Sequence, residues 1–146
     1  MLREPEVKYF ICDMPNTLFD SRHRIEEIGP MITGIKDDKL NYSCYILVKT
    51  LIDAGYKPIF THYMLSRKKQ LALDLLKKHH LHESGKLYVN FNSQEVYSGL
   101  TLKKYLLKKL EDNDIFVEYA IDNSKDAETF WLKNDIALIN VPLPIC

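Results

Sequence analysis

The chain has 146 residues, with Lys plus Arg and Asp plus Glu equal at 20 each and a formal net charge of zero. That length suits one domain, residues 1–146, able to bury roughly 68–70% of its unfolded surface without disulfides or structural metals. The balance announces no bulk polyanion partner, while a local basic patch stays compatible with it. Cys12, Cys44 and Cys146 are odd in number, widely spaced and without a CxxC pair. They argue against a disulfide framework or a zinc ribbon and lead to the expectation of a reducing, cytoplasmic setting. Residues 1–6 are polar and charged, unlike a secretory leader, and no apolar run approaches the ~20 residues that span a bilayer, so no membrane partner is expected.

Residues 7–12 form a short apolar run that stops at Asp13, the pattern of a buried strand. A turn-rich stretch follows, with Pro15, Asn16, Gly29, Pro30 and Gly34. Over residues 41–54, Tyr45, Ile46, Val48, Leu51 and Ile52 recur at helical spacing, and Gly55 is a good stop. Residues 57–61 predict a second strand. Ser66 is placed to cap a helix carrying Leu71, Leu73, Leu75 and Leu76 and ending near His80. His79, His80 and His82 follow Lys77 and Lys78 there and read as groups suited to a helix C-terminus rather than as a metal cluster. Residues 87–91 predict a third strand. Thr101 is placed to cap a helix that runs through Leu110, with Leu102, Leu106, Leu107 and Leu110 on one face. Residues 115–121 predict a fourth strand ending at Asp122, residues 126–133 a short helix, and residues 136–141 a fifth strand closed by Pro142 and Pro144.

Strands therefore alternate with helices along the whole chain. The expectation is an α/β fold: an open parallel five-stranded sheet with helices on both faces. In such sheets ligands bind beyond the carboxyl ends of the strands, near the switch in strand order. The groups offered there are Asp13 and Thr17 after the first strand, Thr61 and His62 after the second, Lys103 and Lys104 on the helix after the third, and Asp122, Asn123 and Asp126 after the fourth. Two acids, a hydroxyl and a lysine are the donor types that hold Mg²⁺ beside a phosphate.

Asp13-Met14-Pro15-Asn16-Thr17-Leu18 after an apolar strand resembles the first motif, Asp-x-Asp-Gly-Thr-Leu, of the haloacid dehalogenase superfamily of phosphohydrolases. Phe19-Asp20-Ser21-Arg22-His23-Arg24 is similar to the loop that follows it. Pro58-Ile59-Phe60-Thr61 resembles the second motif, and Leu102-Lys103 the third. The stretch from Ala120 through Asp122, Asn123 and Asp126 to Trp131 is similar to the fourth-motif region of phage-type polynucleotide kinase 3′-phosphatase domains. The resemblance covers nearly the whole chain, in order. It implies the Rossmann-like fold of that superfamily and an aspartyl-phosphate mechanism with Asp13 as nucleophile. It implies Mg²⁺ as cofactor, on Asp13, the backbone carbonyl of Pro15 and Asp122, with Asn123 or Asp126 acting directly or through water. Thr17, Thr61, His62 and Lys103 would hold the phosphate, Lys104 replacing Lys103 if the helix is rotated by one residue.

Four positions depart from the pattern. Pro15 stands where the superfamily has its general acid and base. Asn16 replaces a glycine, Tyr63 stands where an arginine often follows the second motif (with Arg67 one turn on), and Asn123 replaces the second of two paired acids. His62, His23 or Asp20 are the candidates to supply the missing proton. Residues 21–40 are the only candidate cap, about 20 residues, and so short a cap suits a nucleotide or a nucleic-acid 3′-phosphate end better than an enclosed small molecule. Arg22, His23, Arg24 and Lys36 are placed there to meet phosphates. The competing expectation, favoured by Pro15, is a catalytically degenerate member that binds a phosphate ligand or a protein.

Overall fold

The apolar run before Asp13 becomes the central strand, β1 (Lys8–Asp13), in a computed structural model of the chain that describes residues 7–22, 37–65, 69–83, 86–90 and 99–145. After it come β2 (Phe19–Asp20), β3 (Lys39–Leu40), α1 (Tyr42–Asp53), β4 (Tyr56–Leu65), α2 (Lys69–Lys78) and β5 (Lys86–Asn90). Helix α3 (Gly99–Asp112), β6 (Val117–Ile121), α4 (Ala127–Lys133) and β7 (Ala137–Ile139) complete the order. The main sheet runs β5-β4-β1-β6-β7, and every neighbouring pair is parallel. Strands β2 and β3 form a separate antiparallel ladder, Phe19 opposite Leu40, that the sequence pattern does not suggest.

Alternation along β1 distributes the core. Phe10 and Cys12 point to one face, where they meet Cys44 and Val48 of α1 and Ala72, Leu75 and Leu76 of α2. Ile11 points to the other, among Leu106 and Leu110 of α3 and Phe130 and Trp131 of α4. Both faces of β1 are buried, which explains why its sequence reads as a continuous apolar run. Pro58 is tolerated in β4 because pairing with β5 begins one residue later, at Ile59.

Several boundaries differ from the sequence expectation. Strand β4 runs to Leu65 rather than stopping at residue 61. Helix α3 begins at Gly99, so Thr101 lies inside its first turn and does not cap it. The turn after α2 closes with His80 at φ +58° and with Leu81 N–H donating to the Leu76 carbonyl, a left-handed helix end. Ser66, Arg67, His23, Arg24 and Lys36 lie outside the described residues, as does most of the expected cap. Among the described residues no helix is long and apolar enough to cross a membrane.

Candidate functional site

Asp13 stands at the carboxyl end of β1, where the strand order switches: the chain builds β4 and β5 on one side of β1 and then β6 and β7 on the other. The two neighbouring strands therefore end beside it. Thr61 of β4 is its direct register partner, and Asp122 follows the last residue of β6. The Thr61 hydroxyl donates to Asp13 Oδ1 at 2.8 Å, and both residues are buried. Asp122 is equally enclosed, at 1% exposure.

Helix α3 delivers the positive charge. Lys103 lies on the same stripe as Leu106 and Leu110, three and seven residues on, so its ammonium is carried inward and is 3% exposed. Nζ contacts Asp122 Oδ2 at 2.8 Å, Asp126 Oδ1 at 2.7 Å and Ser124 Oγ at 2.5 Å. All three ammonium protons have acceptors. Lys104 is exposed, so of the two lysines Lys103 is the one whose ammonium lies in this cluster. Burial alone would lower the Lys103 pKa, but the bonds to Asp122 and Asp126 outweigh it and hold it above the ordinary lysine value. Burial would likewise raise Asp126, and the bonds from Lys103 and Ser124 instead hold it below the ordinary carboxyl range.

Asp122 is held by two further donors. The Ser124 backbone N–H reaches Oδ1 at 2.9 Å, and the Trp131 indole N–H reaches Oδ2 at 2.9 Å. Trp131, a fully buried core residue, is thus also a support for the site. The signal for this was available: a buried tryptophan needs a partner for its N–H, and an acid stands nine residues before it. Trp131→Phe removes that donor and is expected to lower stability by about 1–3 kcal/mol, read from a denaturant midpoint followed by circular dichroism. An unchanged midpoint would mean that the bond contributes nothing.

The loop after β1 is shaped by its backbone. Leu18 N–H donates to the Asp13 carbonyl at 3.2 Å and Phe19 N–H to the Met14 carbonyl at 3.0 Å. Asn16 takes φ +53°, the left-handed conformation for which asparagine is well suited. These bonds use the Asp13 and Met14 carbonyls rather than that of Pro15, in keeping with a Pro15 carbonyl that could face a ligand.

Some expected site residues do other work. The Asn123 side chain donates to the carbonyls of Asn16 (2.9 Å) and Val141 (2.7 Å) and accepts from Val141 N–H (2.9 Å). It fastens the β1 loop to the chain after β7, so its amide is not available as a metal ligand. Thr17 is fully buried, and its hydroxyl accepts from Asn123 N–H at 3.1 Å. It braces the same junction instead of presenting its hydroxyl to a phosphate. Asp126 is committed to Lys103. His62 follows Thr61, and strand alternation turns it to the opposite face of the sheet, away from Asp13. Arg22 is engaged by Asp20 at 2.6 Å and donates to the Pro144 carbonyl at 2.8 Å, so neither Arg22 nor Asp20 stands idle beside the pocket.

Burial, with the charge of Asp122 adding to it, pushes the Asp13 carboxyl up to about 8, against the opposing effects of Thr61 and Lys103. Two enclosed carboxyls near enough for the charge of one to act on the other suit a divalent cation, which would favour ionised Asp13. Among the described residues no group of three or more His, Cys, Asp or Glu forms a metal cluster. One or two carboxylates, a carbonyl, waters and a substrate phosphate are a ligand set of the kind Mg²⁺ takes, since it needs few protein ligands.

No protein-family model matches the chain, and no curated protein matches it at significance. Among solved structures, a chain of the Pnkp1/Rnl/Hen1 complex superposes with a TM-score of 0.78 at 18% identity, over 100% of this chain and 53% of that one. A chain of the Pnkp1/Rnl/Hen1 RNA repair complex superposes with a TM-score of 0.79, also at 18% identity, over 96% of this chain and 44% of that one. This chain spans about half the length of each, and the likeness is one of fold: a mixed α/β architecture around a parallel sheet.

Proposed function

We propose that the chain is a Mg²⁺-dependent phosphohydrolase of the haloacid dehalogenase type, acting on a nucleic-acid 3′-phosphate end or a nucleotide. The observation that carries this is the enclosed constellation at the switch point: Asp13 bonded to Thr61, beside Asp122, with Lys103 on Asp122. The likeness in fold to a chain of an RNA repair complex supports the choice of a nucleic-acid-related substrate.

An ionised Asp13 oxygen attacks phosphorus, the bond from phosphorus to the leaving oxygen breaks, and an aspartyl-phosphate forms on Asp13. Water then attacks phosphorus, the bond to Asp13 breaks, and inorganic phosphate leaves. Thr61 and Lys103 stand beside the attacking carboxyl, one as a hydroxyl donor and the other as a buried positive charge. Mg²⁺ on Asp13, Asp122 and the Pro15 carbonyl would supply the charge compensation that lets a carboxylate approach an anionic phosphate. Pro15 carries no proton, so the leaving oxygen takes its proton from water. General acid catalysis is typically worth ~10²–10⁴-fold, so turnover on alkyl phosphates should be slow and acyl phosphates should be favoured.

A panel of acetyl phosphate, p-nitrophenyl phosphate, nucleotides and a 3′-phosphorylated oligonucleotide tests this in Mg²⁺. Turnover is expected, fastest on acetyl phosphate, and Asp13→Asn should abolish it. Pro15→Asp should raise turnover of alkyl phosphates. No turnover by wild type on any member would reject the enzyme and leave the degenerate phosphate binder that Pro15 also suits.

A further inference from the structure

Outside the buried site, a groove of about 390 Å³ runs between α3 and α4. Lys104 and Lys108 line its α3 side and Lys133 its α4 side; Leu107 and Phe130 lie between them, and Glu111 stands farther along α3. The three lysines are exposed, and none makes an ion pair among the described residues. Three lysines against one glutamate is a local asymmetry in a chain whose net charge is zero.

The position of the groove matters as much as its charge. Helices α3 and α4 pack side by side on one face of the sheet and share a core cluster. They are also tied together at their N-terminal ends, where Lys103 meets Asp126 just before α4. Lys104 is the next residue after Lys103, so one end of the groove lies at the same N-terminal part of α3 that carries the site's lysine. Lys108 is one turn further, a rise of about 6 Å. The lysines thus form a short track leading away from Asp13, with apolar surface from Leu107 and Phe130 between the two walls.

We propose that this groove holds the sugar-phosphate backbone of a single nucleic-acid strand whose terminal phosphate is presented to Asp13. The proposal rests on the phosphohydrolase reading above and sharpens it, since it assigns the groove to the strand that continues from the terminal phosphate. Lysine charges match backbone phosphates without reading sequence, and the apolar floor accepts sugars and base faces.

The test measures binding in the absence of turnover. Fluorescence anisotropy of a short labelled oligothymidylate ending in a 3′-phosphate is followed in EDTA, between about 50 and 200 mM salt. Wild type should bind with affinity that falls steeply with salt. In Lys104→Gln/Lys108→Gln/Lys133→Gln the slope of log affinity against log salt should shrink by about 2, at roughly 0.7 for each phosphate that a lysine no longer neutralises. Lys77→Gln/Lys78→Gln, at the end of α2, should leave the slope as it is. Circular dichroism checks that each variant is folded. A wild type that does not bind, a triple variant with the wild-type slope, or equal lysine-dependent binding of polyglutamate would each overturn the proposal. Loss of hydrolysis in the substrate panel does not enter this readout, so failure of the enzyme and failure of the groove are distinguishable.

Discussion

Lys103→Met is expected to lower the stability of the metal-free protein by about 3–5 kcal/mol, the cost of removing one partner from a buried ion pair. A domain of this size has only some 5–15 kcal/mol to lose. The reason lies in what remains. Asp122 is 1% exposed and would be left with only the Trp131 and Ser124 N–H groups as donors, and with Asp13 beside it. Asp126 and Ser124 would lose their shared partner as well. Methionine fills much the same volume, so the loss reports charge and hydrogen bonding more than a cavity. Urea denaturation checks it, with Lys104→Met as the comparison: that side chain is exposed, and its replacement should stay within about 0.5 kcal/mol. If the two variants unfold at the same midpoint, the Lys103 network does not hold the fold together.

Asp13→Asn should stabilise the cation-free protein at alkaline pH and leave it unaltered in acid. In the folded state the Asp13 carboxyl titrates at about 8, well above its ordinary value of 3.8, because of burial and then the charge of Asp122. The folded state thus binds the proton more tightly than the unfolded chain. The stability contributed by protonated Asp13 is complete below about pH 4, falls as pH rises, by at most about 1.4 kcal/mol per unit, and is gone above about pH 8. Asparagine is neutral throughout and can still accept the Thr61 hydroxyl through its amide oxygen. The difference in melting temperature between variant and wild type, measured in EDTA from about pH 5 to about pH 9, should open in favour of the variant as pH increases. Parallel curves would show that Asp13 titrates in its ordinary range.

The alternation of strands and helices and the residues at strand ends were legible because of the parallel sheet itself. A strand buried on both faces must be apolar along its length, so the first polar residue after it marks the sheet edge where ligands bind. Asp13 and Asp122 were visible in that way, and Thr61 as the first polar residue after the apolar stretch of β4, which itself runs on to Leu65. The choice of Lys103 over Lys104 was also present in the pattern, since Lys103 shares the Leu106–Leu110 stripe while Lys104 shares the outer face with Lys108 and Glu111. What could not be read was the direction of individual polar side chains. Thr61 and His62 are both polar and adjacent, and only the register with Asp13 shows that Thr61 takes the site face. Asn123 follows the acid of the fourth strand as a ligand would, yet its amide is consumed by Asn16 and Val141, which the sequence places 107 and 18 residues away. The β2–β3 ladder has two residues per strand, too short to show any period.

Thermal melting of wild type and Asp13→Asn in Mg²⁺ with beryllofluoride, a mimic of an aspartyl-bound phosphoryl group, bears most directly on Asp13 as the centre of a phosphate and cation site. Wild type should melt higher only when both are present, with a gain of about 2.7 kcal/mol at roughly a hundredfold excess over the dissociation constant, and Asp13→Asn should show no gain. No shift in wild type, or an equal shift in the variant, would contradict the assignment of Asp13.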